Sequence, residues 1–150
     1  MHTVTVKHTF ETGHRLPHLA GKCQSLHGHS WQVQVTVAGD PDLDGVLVEF
    51  AALKKHLRAW VDEHLDHGLM LGAGDPLGPI LTDYGKVFLF GAPTYPLTLN
   101  LYWPTVENVA TLLARVMQQH LADTGQHTRC HVQQVAVQET SVNQATWHCP

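Results

Sequence analysis

Apolar and polar residues alternate from the start of the chain. Residues 3–12 put Val4, Val6, His8 and Phe10 on one side and Thr3, Thr5, Lys7, Thr9 and Glu11 on the other, the period of a half-buried strand. His14 keeps the parity of the apolar side if the extension runs that far, which aims it inward. Residues 15–21 read as a loop, with Pro17 and Gly21 as breakers. Trp31, Val33, Val35 and Val37 then alternate with Gln32, Gln34 and Thr36 in a second strand, ended by Gly39-Asp40-Pro41. Asp42-Leu43-Asp44-Gly45 is turn chemistry, and residues 46–49 make a short extended piece.

From Phe50 the period changes to that of a helix. Phe50, Leu53, Leu57, Trp60, Val61 and Leu65 share one stripe, with Lys54, Lys55, Arg58 and Asp62 off it. Asp66-His67-Gly68 closes this helix, with Gly68 as its left-handed cap. Residues 69–102 are rich in Gly and Pro and hold one strand, at 86–90. A second helix begins at Pro104-Thr105-Val106-Glu107-Asn108, where Thr105 can cap it and Glu107 sits in the positive first turn. Its buried side is Val109, Leu112, Leu113, Val116, Met117 and Leu121, and Gly125 follows its end. Residues 132–139 are a third good strand and 145–149 a fourth. This order predicts an α+β fold, a four-stranded antiparallel sheet with two helices on one face. No internal repeat, linker or low-complexity segment interrupts residues 1–150, which read as a single domain.

Composition narrows the function classes. A length of 150 residues, 43% hydrophobic and 15% charged, describes a globular chain able to bury a sizeable core. No apolar run reaches bilayer length, and Met1-His2-Thr3-Val4 lacks the basic-then-apolar layout of a leader, so a cytoplasmic protein with no membrane partner is expected. Three scattered cysteines make no disulfide framework; Cys130 reads as a strand residue and Cys149 as a tail residue. A formal charge of −4 argues against a nucleic-acid partner. The 13 histidines are scattered, so only those with a geometric argument become candidates.

That argument exists at Cys23-Gln24-Ser25-Leu26-His27-Gly28-His29. Residues two apart on an extended chain face the same way, so His27 and His29 can present both rings to one zinc ion. A third protein ligand with the fourth position left to water or substrate is how zinc is held when it does chemistry, and His14 is the candidate. Cys23 is either a further ligand or a reactive thiolate favoured by the charge of Lys22. Asp66-His67 has a plain alternative as a helix end, Glu107 as a helix-dipole residue, and Glu139 as a solvated residue at a strand end.

Taken together, Phe10-Glu11-Thr12-Gly13-His14-Arg15-Leu16-Pro17-His18, Cys23 through His29, Leu65-Asp66-His67, Pro104-Thr105-Val106-Glu107-Asn108 and Gln138-Glu139-Thr140 resemble the 6-pyruvoyltetrahydropterin synthase and 6-carboxytetrahydropterin synthase family. The three-residue gap between Cys23 and His27 is similar to the carboxy type. The resemblance implies a tunnelling fold assembled as an oligomeric barrel, a homohexamer of paired trimers with active sites between subunits. It implies zinc on His14, His27 and His29, proton handling by Cys23, Asp66 and His67, and a pterin anchor at Glu139, with Thr105 and Glu107 shaping the same substrate pocket. The implied reaction takes 7,8-dihydroneopterin triphosphate to 6-carboxy-5,6,7,8-tetrahydropterin with loss of acetaldehyde and triphosphate, on the route to queuosine. Alternatives are the pyruvoyl or a folate-branch reaction, or a non-catalytic pterin- or zinc-binding module. Two features depart from the family pattern: Glu49-Phe50 in place of Asp-Phe, and an extended insert at about 69–103.

Overall fold

Two long strands, β1 (His2–His14) and β2 (His27–Gly39), pair antiparallel over their whole length and form the middle of the sheet. A computed structural model describes residues 1–150. The register sets Phe10 opposite Trp31, Thr12 opposite His29 and His14 opposite His27. Val6, Phe10, Thr12, Trp31, Val33 and Val35 are buried on one face, while Thr5, Lys7, Thr9, Glu11 and Gln32 are exposed on the other. His14 does continue the inward parity and is fully buried.

β5 (Cys130–Gln138) joins β2 antiparallel with a register shift at Thr36 and Val37, and β6 (Gln144–His148) completes that side. On the other side β3 (Gly68–Gly72) runs parallel to β1, and β4 (Val87–Phe90) runs parallel to β3. The sheet is therefore six-stranded and mixed, ordered β4-β3-β1-β2-β5-β6.

Three helices complete the chain: α1 (Phe50–His64), the five-residue α2 (Leu77–Leu81) and α3 (Val106–Asp123). α1 packs on β1 and α3 on β5 and β6, and both feed one core with the inward residues of β1 and β2. α1 contributes Leu53, Leu57 and Val61; α3 contributes Val109, Leu112, Leu113, Val116, Met117 and Leu121. Each such side chain stabilises the fold by roughly 1.5–3 kcal/mol relative to exposure. The Thr105 hydroxyl accepts the Asn108 amide N–H at 3.2 Å, which is the expected cap, and Gly125 past the end takes the left-handed φ of 71°. No helix is long and apolar enough to cross a membrane.

The four-stranded antiparallel expectation is corrected by the pair β3 and β4. Gly68-Leu69-Met70-Leu71-Gly72 is too short, and too bounded by glycine, to show a period, yet Met70 and Leu71 are fully buried beside β1. α2 was equally hidden by its Gly78 and Pro79. The second strand starts four residues earlier than its apolar pattern, at His27 rather than Trp31. Residues 46–49 form no strand, although Leu47 and Val48 are buried. Phe50, at the first turn of α1, is 57% exposed and leaves the stripe. Gly68 is not the left-handed residue after α1; His67 is, with φ 56°.

Candidate metal centre and active site

His14 stands at the end of β1 and His27 and His29 at the start of β2, so the register that pairs Phe10 with Trp31 also gathers the three rings. One ligand atom from each lies within 4.8 Å of the others. Two imidazole nitrogens on one tetrahedral zinc stand roughly 3.3 Å apart, so small ring movements suffice. Trp31 forms the floor, fully buried, with ring centroids 5.0 Å from His14 and 5.6 Å from His29, both edge to face. Its indole N–H donates to the Thr12 carbonyl at 3.1 Å, which ties the floor to β1.

Backbone carbonyls orient two of the rings. Nδ1 of His14 donates to the Pro104 carbonyl at 2.8 Å, and Nδ1 of His27 to the Ser25 carbonyl at 2.6 Å. Each bond puts the proton on Nδ1 and leaves the Nε2 lone pair for a metal. Nε2 of His14 and Nε2 of His29 are buried with no hydrogen-bond partner, a costly arrangement unless a cation is the intended partner. Burial pushes His14 down to about 4, against the raising effect of the Pro104 bond and with help from His27 and His29. Burial likewise lowers His29, which the Glu139 carboxylate opposes and His27 reinforces. Both rings are therefore neutral at pH 7, the form that binds metal. The three histidines can hold a metal ion.

Glu139, the residue after β5, reaches the same point. Its two oxygens lie 3.8 Å from Nε2 of His14 and 3.6 Å from Nε2 of His29. Asp66 and His67 form a separate unit: the Asp66 carboxylate accepts from Nδ1 of His67 at 2.7 Å and from the Glu11 amide at 2.8 Å, while the His67 amide donates to the Glu11 carbonyl at 2.7 Å. Burial alone would raise the Asp66 carboxyl, but the Glu11 amide, the His67 ring and the charge of Lys86 hold it below its ordinary value. The His67 side chain is 79% exposed. Its left-handed backbone is unusual outside glycine and costs about 1–2 kcal/mol, a strain that marks functional positions.

A family model described as 6-pyruvoyl tetrahydropterin synthase matches residues 3–149. The chain belongs to that family. A Rickettsia bellii relative named 6-carboxy-5,6,7,8-tetrahydropterin synthase is 37% identical over 103 residues, which cover 67% of this chain and 69% of the relative. An Aquifex aeolicus relative of the same name is 28% identical over 131 residues, 84% of this chain and 75% of the relative. The solved 6-pyruvoyltetrahydropterin synthase of Plasmodium vivax superposes with a TM-score of 0.74 at 16% identity, over 99% of this chain and 97% of that one, which speaks for the shared fold.

The other residues singled out in the sequence are spread out. Cys23 sits half-buried in a 3-10 turn (Lys22–Gln24), its carbonyl accepting the Leu16 amide at 2.7 Å, and its thiol is free. It is not among the side chains that converge on the metal point. Thr105 spends its hydroxyl on the α3 cap, and Glu107 is exposed in the first turn. Sequence reasoning missed the carbonyls of Pro104 and Ser25, since a backbone carbonyl has no residue signature. It also missed Asp75, whose fully buried carboxylate takes two bonds of 2.7 Å from Arg15; in Gly-Asp-Pro the residue looks like turn chemistry.

Proposed function

We propose that this protein is a zinc-dependent carbon-oxygen lyase that converts 7,8-dihydroneopterin triphosphate to 6-carboxy-5,6,7,8-tetrahydropterin, releasing acetaldehyde and triphosphate. The observation that carries this reading is the convergence of His14, His27 and His29, with two buried Nε2 atoms unpartnered, beside a carboxylate. The carboxy product is favoured over the pyruvoyl one by the names of the relatives from R. bellii and A. aeolicus and by the short gap between Cys23 and His27.

Zinc held by the three imidazoles would supply Lewis acidity, easing loss of protons from carbons next to bound side-chain oxygens. Glu139 accepts two parallel hydrogen bonds from the amino group and ring N–H of a pterin, one on each carboxylate oxygen. Cys23 is assigned to proton removal from the substrate side chain, and His67 to the opposite side. Asp66 holds the His67 ring through Nδ1, leaving Nε2 to exchange protons with substrate. Glu107, exposed at the start of α3, and Thr105, directly after Pro104, are assigned to the substrate pocket. The substrate is a small molecule; neither nucleic acid nor membrane takes part, and the setting is cytoplasmic, on the route to queuosine.

The working form is a homohexamer, a dimer of trimers. Support comes from one chain's own bonding: the exposed Asp66–His67 pair shares no hydrogen bond with the histidine triad. A site between subunits lets one copy supply the metal and another the acid–base pair.

The test is to incubate purified, zinc-loaded protein with 7,8-dihydroneopterin triphosphate and identify products by mass. The carboxy product with acetaldehyde is expected. Pyruvoyl product without acetaldehyde overturns the carboxy assignment, and pterin binding without turnover overturns the enzyme assignment in favour of a binding module.

A further inference from the structure

The metal ligand His14 depends for its orientation on one carbonyl, that of Pro104, and the chain spends several contacts on placing it. Pro104 is buried, and its neighbour Trp103 is held from three directions. The Trp103 ring stacks on His18 with centroids 4.7 Å apart and planes 19° apart. Gly72 allows that ring in, because a Cβ there would stand 2.5 Å from Cε3 of Trp103. The Trp103 carbonyl accepts two hydrogen bonds, from the Thr105 amide at 2.9 Å and from Nδ2 of Asn108 at 2.8 Å. Only the amide nitrogen of Asn108 can face a carbonyl, so its donor role follows from the contact itself.

We infer that Asn108 is a positioning residue for the metal centre: by fixing the Trp103 carbonyl it aims the next carbonyl, that of Pro104, at Nδ1 of His14. Asn108 is the third residue of α3, and its own amide N–H is taken by Thr105. The side chain is thus free to reach backwards over the cap, as Glu or Gln does in a capping box, but to a carbonyl two residues before the cap instead of to the cap's amide. The contact runs Asn108 to Trp103 to Pro104 to His14, of which only His14 would hold the metal. A ligand's direct outer partner, here the Pro104 carbonyl, fixes tautomer and ring direction, and its loss costs about 10–100-fold in metal affinity, which sets the upper bound on what Asn108 can contribute.

The inference rests on the metal centre proposed above. Its test separates the missing donor from a damaged helix. Asn108→Asp keeps a residue that suits the first turn, and adds favourable charge there, but removes the donor. Asn108→Gln keeps the donor on a side chain that helix starts commonly use to reach back. We expect Asn108→Asp to stay folded with only a small drop in unfolding temperature, yet to bind zinc more weakly in a chelator competition, by up to the roughly 10–100-fold that loss of a ligand's outer partner costs. Asn108→Gln should stay within a few-fold of wild type. In metal-free protein, nitrogen-15 NMR of the His14 ring should show the Nδ1–H tautomer in wild type and Asn108→Gln, and a mixture in Asn108→Asp. Zinc affinity unchanged in Asn108→Asp, equal weakening in both variants, or an unmoved tautomer would each overturn the inference. If wild type takes no zinc, or His27→Ala leaves uptake intact, the proposed metal centre fails instead, and the metal-free tautomer still decides the role of Asn108.

Discussion

Metal-free protein should lose about 3 kcal/mol of folding stability through His14 alone as the pH falls from 7 to 4. The folded imidazole, held down by burial, takes its proton only near 4, whereas the unfolded one takes it near 6.5. Between those values the unfolded chain binds the extra proton, so stability rises with pH across the window. His14's contribution is complete above about 6.5, falls as the pH drops through the window, and levels off near 4. At about 1.4 kcal/mol per pH unit, the gap from 6.5 to about 4 is worth about 3.5 kcal/mol in full, of which about 3 kcal/mol is lost by pH 4. It is a large share of the roughly 5–15 kcal/mol that holds a domain together. The assay is urea unfolding in chelator at half-unit pH steps, comparing wild type with His14→Gln, which has no titrating ring. His56 and His120 are also lowered by burial, but neither is coupled to His14, so they titrate alike in both proteins and cancel in the difference; His29, which is coupled to His14, is followed by NMR in both. A wild-type-minus-variant difference that stays flat from pH 7 to 4.5 would refute the reasoning, as would an NMR titration placing His14 near 6.5. Saturating zinc should steepen the wild-type loss, since protons and metal compete for Nε2.

Three further outcomes follow from particular contacts. Arg15→Met leaves the Asp75 carboxylate, 0% exposed, without its partner and should cost about 3–5 kcal/mol in urea unfolding, while Arg15→Met with Asp75→Leu recovers most of it. Asn tolerates the left-handed backbone that His67 adopts, so His67→Asn should hold stability within roughly 0.5 kcal/mol while turnover of the pterin substrate falls about 100- to 10,000-fold. Gly72→Ala would set a Cβ 2.5 Å from the Trp103 ring and 2.6 Å from the Tyr102 carbonyl; thermal unfolding should show a loss of about 1–3 kcal/mol, with zinc uptake reduced because Pro104 moves with Trp103.

The parts of the fold that could be read from the sequence are those with a sustained period. β1, β2, α1, α3 and β5 each carry enough turns or alternations for the buried side to declare itself, and the inward aim of His14 followed from counting parity alone. β3 and α2 are five residues each, too short for a pattern, whereas the strand read at 86–90 is present as β4 (Val87–Phe90) and only its place in the sheet was hidden. Their burial comes from neighbours: Met70 and Phe88 are buried because β1 and α1 cover them, which no local rule reveals. Propensity alone puts the left-handed turn after α1 at Gly68. The tertiary bonds of Asp66 and His67 to Glu11 place it one residue earlier. At the site, side chains with known chemistry were legible and carbonyl partners were not. Lys86 is a similar case: its ammonium donates to the carbonyls of Asp62 and Asp66 at 2.6 and 2.7 Å, fastening the end of α1 beside the Asp66–His67 pair.

The metal point and the core share one ladder of cross-strand pairs. Phe10 with Trp31, Thr12 with His29, and His14 with His27 are successive inward pairs of β1 and β2. Side chains alternate with period two, so a slip of one residue would turn Trp31, Val33 and Val35 out to solvent together with His27 and His29. Register is thus set by apolar burial, worth several side chains at roughly 1.5–3 kcal/mol each, and the histidines inherit it. What the core cannot do is satisfy the nitrogens it gathers. Nε2 of His14 and of His29 are buried without a protein partner, each at a cost of about 1–3 kcal/mol, and the Glu139 oxygens at 3.8 and 3.6 Å stand too far off for hydrogen bonds. The hydrophobic ladder offsets that cost and keeps the rings in place before any ion arrives. A cation binding there meets ligands already assembled, so its binding energy adds to stability and is not consumed in folding the site.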